Sequence, residues 1–206
     1  DVCRYFQGFR CIECYLKLGS KYISYLPFLL FRKKIFNNFL KKIDRFIVLS
    51  SSSKEILKSY GIEKNSIEVI PYPLTHEQYS VSMKYNKHSL LFVGWIQYRK
   101  GLHILLKALP KIVNSIPDVK LYIVSTGRDA AYGNLISQMI KQSNLDSYIN
   151  WLPRMPHQEI VRYLQDTNIL VVPEQWENML PLIIGEAMML GRAVIVSKIG
   201  GIPDLI

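Results

Sequence analysis

Cysteine, acidic side chains and long apolar runs are all scarce in this sequence, and each shortage removes a class of protein. Three cysteines, Cys3, Cys11 and Cys14, are an odd number and too sparse a framework for a disulfide-stapled fold, which favours a reducing compartment and a cytoplasmic setting. They include one CxxC pair, but a zinc site takes four ligands as a rule, and no fourth cysteine or nearby histidine stands in that segment; no metal is expected. The longest apolar candidate, YISYLPFLLF at 22–31, is about half the ~18–20 residues a spanning helix needs and contains Pro27, so no bilayer-crossing helix is expected. The glycines match neither the Walker loop nor the dinucleotide fingerprint. The opening DVCRYFQGFRC has neither an initiator methionine nor a basic-then-apolar leader, and is read as neither a signal peptide nor a natural start; a fragment is expected.

What is present suits a globular fold. The chain has 206 residues, 49% of them hydrophobic and 20% charged, enough to bury a sizeable core in one large domain or parts of two. Its net charge of +10 is uneven: residues 1–60 carry +8, which leaves +2 for the remaining 146. Within that basic segment, LPFLLFRKKIFNNFLKKIDRF (26–46) interleaves apolar and cationic residues, as a helix lying on an anionic membrane surface would. The same pattern suits a surface helix whose apolar face packs on the rest of its own domain. A basic nucleic-acid-binding protein is the alternative from another class, but no recognisable module accompanies the charge, and no nucleic acid is expected as partner.

Along the chain, strand-like and helix-like segments alternate. RFIVLS (45–50) ends in serines that can cap the helix SSKEILKSYG, with Gly61 as its stop, and SIEVIPYP (66–73) is the next strand. The polar stretch 74–89 lacks a sustained period, which places a domain boundary near residue 75 and a linker over 76–89. Strands follow at 90–94, 119–125, 148–152, 168–173 and 193–197, between helices at 102–116, 130–143, 157–166 and 182–190. This rhythm predicts an α/β fold: a parallel sheet with helices on both faces, the strands being continuous apolar runs. Ligands of such sheets lie beyond the carboxyl ends of the strands.

The residues at those ends are the candidates. Gly94 precedes the adjacent cations Arg99 and Lys100; TGRD (126–129) sets Gly127 beside a cation; PRMPH brings Arg154; KIGG holds Gly200 and Gly201. Cations and helix N-termini on one edge suit an anion with several phosphate oxygens, although a lone lysine is ordinarily a solvated one and a glycine pair ordinarily a turn. Two acids bracket an apolar run. Glu186, inside IIGEAMMLG, costs several kcal/mol to desolvate unless it is hydrogen-bonded, and Glu177 lies in the preceding loop. A carboxylate pair suits recognition of sugar hydroxyls, while the plainer role for Glu186 is an interaction with the helix dipole. His76, His88, His103 and His157 are read as ordinary polar residues.

FVGWIQYRKGLHILLKALPKI, LYIVSTGRD and the stretch from PRMPHQEIV through EQWENMLPLIIGEAMMLGRAVIVSKIGGIPDLI together resemble the C-terminal nucleotide-sugar-binding domain of family 4 glycosyltransferases. Residues 40–75 resemble the end of that family's N-terminal domain. The resemblance implies two facing Rossmann-like domains (the GT-B fold), of which this chain holds part of the first over 1–75 and most of the second, the donor domain, over 90–206. It implies a retaining transfer of a hexose from a nucleotide-diphosphate sugar to a glycan or lipid-linked acceptor, with no metal or other cofactor. A sugar-nucleotide epimerase of the same architecture is the alternative enzyme.

The resemblance also distributes roles. Glu177 and Lys100 become the catalytic pair, Glu177 at the donor sugar and Lys100 at the diphosphate, while Glu186 binds the ribose hydroxyls. Gly94, Arg99, Gly127, Arg154, Asn178, Leu180, Pro181 and Leu182 become substrate-binding residues, with backbone amides near Leu182 facing the phosphate. The family spaces its two acids by seven residues, whereas eight separate Glu177 from Glu186, so Asn178 would occupy the first acid's place at the usual spacing. The extra residue lies before Pro181. Trp95 stands where the family commonly has an arginine, and Pro153 where a glycine is usual.

Overall fold

The structure, a computed structural model, describes residues 31, 34–36, 38–40, 42–74 and 84–206. Cys3, Cys11, Cys14, His76, residues 76–83 of the expected linker and part of the basic segment 26–46 lie outside the described residues. The chain forms two compact units, Asp1–Pro71 and Tyr72–Ile206.

In the smaller unit β1 (Phe46–Val48) and β2 (Ile67–Val69) pair in parallel, joined by α1 (Ser51–Ser59). The serine cluster starts this helix as its composition requires, with Ser50 Oγ accepting from the Ser53 amide at 3.2 Å. Gly61 ends it at φ +86°, a conformation that a side chain disfavours. No residue of α1 is buried, whereas Ile67 of β2 is 2% exposed.

The larger unit runs β3 (Asn86–Ile96), α2 (Leu102–Ser115), β4 (Lys120–Arg128), α3 (Ala130–Gln142), β5 (Ile149–Leu152), α4 (His157–Asp166), β6 (Thr167–Val172), α5 (Leu182–Met189) and β7 (Ala193–Val196). Its five strands lie in the order β5-β4-β3-β6-β7, and every neighbouring pair is parallel. The chain winds outward from β3 through β4 to β5, then returns to the other side of β3 for β6 and β7. The strand order therefore reverses between β3 and β6, and the crevice outside their carboxyl ends is where such sheets bind ligands.

The two-residue period of β3 feeds two cores. Leu90, Phe92 and Ile96 pack with α2 and α3 through Leu102, Leu106, Leu109 and Ile136, while Leu91 packs with α4 and α5 through Ile160, Leu164 and Ile184. Each such side chain contributes roughly 1.5–3 kcal/mol on burial, so the central strand is held from both faces and its exit is firmly placed.

Two strand ends differ from the sequence expectation. β3 starts at Asn86, inside the segment read as linker, and runs on to Ile96; β4 runs to Arg128. Pairing resumes past a register shift at Gly94/Trp95, with Trp95 opposite Gly127 and Ile96 opposite Arg128. Gly127 is consequently a strand residue, not the turn residue expected, because a bulge lets the ladder continue where the apolar run ends, while Gly94 stays within its expected strand.

Candidate functional site

The exits of β3 and β6 are tied together. After β3 a short turn, Tyr98–Lys100, leads to Gly101, which begins α2 at φ +72° with no side-chain cap. A Cβ on Gly101 would collide with the Pro173 carbonyl, so only glycine allows this approach of the two chains. The Gln175 amide donates to the Arg99 carbonyl at 2.8 Å, and Gln175 Nε2 donates to the Tyr98 carbonyl at 2.9 Å.

Across this junction Lys100 Nζ donates to Glu174 Oε1 at 2.7 Å. The Glu174 side chain is 2% exposed and that of Lys100 is 23% exposed. Asn178 Nδ2 reaches both carboxylate oxygens of Glu174, at 3.3 and 3.1 Å. The Asn178 carbonyl in turn accepts from the Gly201 amide at 2.8 Å. Gly200 stands at φ +58°, where a Cβ would meet the Asn178 backbone, so the glycine pair after β7 lets that loop close over residues 177 and 178.

A second acid lies on α5. Glu186 is 5% exposed, and His157 Nε2, at the start of α4, lies 2.8 Å from its Oε1. The carboxylate is thus hydrogen-bonded, as burial demands, yet its partner is a side chain with 57% of its surface open. His157 is not the ordinary polar residue that its sequence context suggests. Nor is His103, which is buried, stacks on Tyr98 at 4.6 Å, and shares a 2.7 Å hydrogen bond between Nδ1 and the Tyr132 hydroxyl. Burial, reinforced by the nearby Lys107 charge, pushes the His103 pKa down, and burial pushes that of Tyr132 up. His88 does sit at the surface, bonded to Asp118 at 2.7 Å.

The remaining predicted residues distribute as follows. α5 begins at Leu182 behind Pro181, with Leu180 buried beneath the loop, and no side chain caps the helix start. Glu177 and Asn178 are half-buried in the loop before it. Arg99 and Arg154 are exposed at the exits of β3 and β5. Gly94 lies beside the Lys100 stem, a Cβ there being 3.9 Å from Lys100 Cδ. Gly127 lies under the Trp95 indole, which a Cβ would meet at 3.0 Å. The cation next to it, Arg128, donates to Ser137 Oγ on α3 at 3.1 Å. Among the described residues no group of three or more His, Cys, Asp or Glu side chains could hold a metal ion, and no helix is long and apolar enough to cross a membrane.

Sequence reasoning missed Glu174, Gly101, Gln175 and the link from His157 to Glu186. Glu174 did carry a signal: it is an acid two residues beyond a strand that ends at the sheet's reversal point. Nothing local connects His157 with a residue 29 positions away.

An open parallel sheet with charged and amide groups gathered across its switch point defines a ligand-binding α/β domain of the Rossmann-like kind. The sequence profile of the family Glycosyl transferases group 1 matches residues 87–206, and the chain belongs to that family. Spore coat protein SA of Bacillus subtilis is 29% identical over 125 residues, covering 59% of this chain and 33% of its own length. Glycogen synthase of Mycobacterium tuberculosis is 25% identical over 175 residues, covering 81% of this chain and 40% of its own. The chain thus spans well under half the length of these relatives. Among solved structures, sucrose-phosphate synthase from Thermosynechococcus elongatus superimposes with a TM-score of 0.69 at 23% identity, over 82% of this chain and 44% of its own. Anabaena HepE in complex with UDP-glucose does so with a TM-score of 0.68 at 18% identity, over 79% and 47%. The fold is that of the GT-B glycosyltransferases.

Proposed function

We propose that the chain is the donor-binding part of a retaining, family 4-like glycosyltransferase that moves a hexose from a nucleoside-diphosphate sugar to a glycan or lipid-linked acceptor. One observation carries this reading: Lys100 meets Glu174, and through it Asn178, across the switch point of the sheet, in the loop that leads to the uncapped start of α5. In it residues 1–75 end the acceptor-side domain, and the sheet that begins with β3 at Asn86 holds the donor. Lys100 and the start of α5 take up the diphosphate charge, in place of a metal ion. Glu186 accepts from the ribose hydroxyls, and Gly94, Arg99, Gly127 and Arg154 stand around the donor.

Glu177 is the acid that receives the donor sugar. One fact supports it over Asn178: α5 begins at Leu182, so the extra residue belongs to the loop. The complex of HepE with UDP-glucose, on the same fold, supports a nucleoside-diphosphate sugar as the ligand class. The protein works in the cytoplasm at the inner face of the membrane. Exposed Phe31, Ile35 and Phe39, on a helical stretch with Lys34, support contact with anionic lipid, which high salt would abolish in liposome sedimentation.

A thermal-shift panel of nucleoside diphosphates and nucleotide sugars tests the reading. A ligand at a hundred times its Kd adds about 2.7 kcal/mol of stability, and no shift with any member overturns the proposal. Glu177→Gln then weakens nucleotide-sugar binding alone, while Glu186→Gln weakens free nucleotide as well, each by roughly ten- to a hundredfold. Normal sugar-nucleotide binding by Glu177→Gln together with loss in Asn178→Ala would transfer the role to Asn178.

A further inference from the structure

We propose that Glu174 is a positioning residue of this site: its buried carboxylate holds the Lys100 ammonium and the Asn178 amide as one unit, and so aims the lysine at the diphosphate. The inference rests on the donor reading above. Glu174 is 3% exposed, and its two oxygens take the Lys100 contact at 2.7 Å and the Asn178 contacts at 3.1 and 3.3 Å. An ammonium has three protons, and this pairing uses one. The Lys100 side chain keeps 23% of its surface open, so its remaining donors are free to meet an anion at the sheet edge while the carboxylate fixes their direction.

The surrounding backbone fits that purpose. The approach of Gly101 to Pro173 and the two Gln175 hydrogen bonds lock the β3 and β6 exits against each other. Glu174 therefore projects from a fixed frame, and a flexible lysine stem acquires one preferred end point. Holding a charged donor in its working geometry before the ligand arrives lowers the ordering cost of binding.

The charge of Glu174 by itself works against an anionic ligand, which gives the test its sign. If the carboxylate only neutralises Lys100, removing it raises the local positive potential and tightens diphosphate binding. If it positions Lys100, removing it weakens that binding. UDP, ADP and GDP are titrated against wild-type chain, Glu174→Gln and Glu174→Asp, each beside the matching nucleoside, with thermal unfolding of every variant recorded. Glu174→Asp keeps the charge and withdraws the oxygens by one carbon, so a charge-balancing role survives it and a positioning role does not.

The expected result is that both variants lose about tenfold or more of the preference for diphosphate over nucleoside, with nucleoside affinity unchanged. Tighter diphosphate binding by Glu174→Gln, or a wild-type preference in Glu174→Asp, overturns the inference and leaves the donor reading standing. Absence of binding by the wild-type chain to all three diphosphates overturns the donor reading and the inference with it. Should Glu174→Gln fail to fold, Glu174→Asp decides alone.

Discussion

Two buried acids at the same edge of the sheet are held in different ways. Glu174, at the β6 exit, faces a lysine whose side chain is 23% exposed, and the backbone around both is locked by Gly101 and Gln175. Glu186, on α5, faces a histidine that is 57% exposed and is contributed by another helix, α4. The first pair is part of the framework that joins two strands; the second is a side-chain contact between two helices. Burial of the acid is nearly the same in the two cases, so it is the setting of the partner that separates them.

The largest expected effect follows from that difference. Lys100→Ala strands the buried Glu174 charge and costs about 3–5 kcal/mol in denaturant unfolding, and adding Glu174→Gln recovers part of the loss. Because Lys100→Ala perturbs the fold as well as the proposed phosphate site, ligand affinities are interpreted with the double variant beside it. If the single variant costs no more than His157→Ala, the contrast between the two pairs collapses.

Gly101→Ala comes next. It forces a Cβ into the left-handed region and against the Pro173 carbonyl, a cost of about 2 kcal/mol or more. A neutral outcome by thermal unfolding would mean that the β3 and β6 exits are not locked. His157→Ala costs about 1 kcal/mol or less, since its side chain is more than half exposed.

The smallest expected effect is a pH dependence near the first pair. His103 packs beside Tyr98 and lies with its Nε2 3.4 Å from Gln175 Nε2. Its pKa is lowered from the ordinary 6.5 by burial and then by the Lys107 charge. The unfolded chain therefore takes up a proton at higher pH than the folded one, so this contribution to stability is complete above about pH 6.5 and falls as the pH drops below it. His103→Gln should flatten the slope of unfolding midpoint against pH in that window; an unchanged slope would remove His103 as its cause.

The alternation of segments was legible because it is written in local spacing. The helices expected at 157–166 and 182–190 form at His157–Asp166 and Leu182–Met189, since apolar residues at helical intervals need one face covered whatever covers it. Strand ends were less legible. The ladder through Trp95–Gly127 and Ile96–Arg128 depends on a bulge, which is a property of two strands together. At the site, Lys100 and Glu186 stood out as a cation before a helix and an acid inside an apolar one. Glu174 was passed over, because its one signal, a place just beyond a strand, gains meaning only when the lysine 74 positions earlier is seen against it.

The sequence by itself determined the kind of protein this is: the rhythm of apolar runs required a parallel sheet clad on both faces, and the resemblance of residues 90–206 pointed to a glycosyltransferase, which the profile match bears out. Tertiary structure alone decided which polar groups meet. Strand order puts β3 beside β6 although α2, β4, α3, β5 and α4 lie between them in the chain, and that neighbourhood pairs Lys100 with Glu174. Periodicity reports only which face of a segment is buried. The partner of a buried charge is set by how distant segments cross, since desolvation penalises any arrangement that leaves it alone.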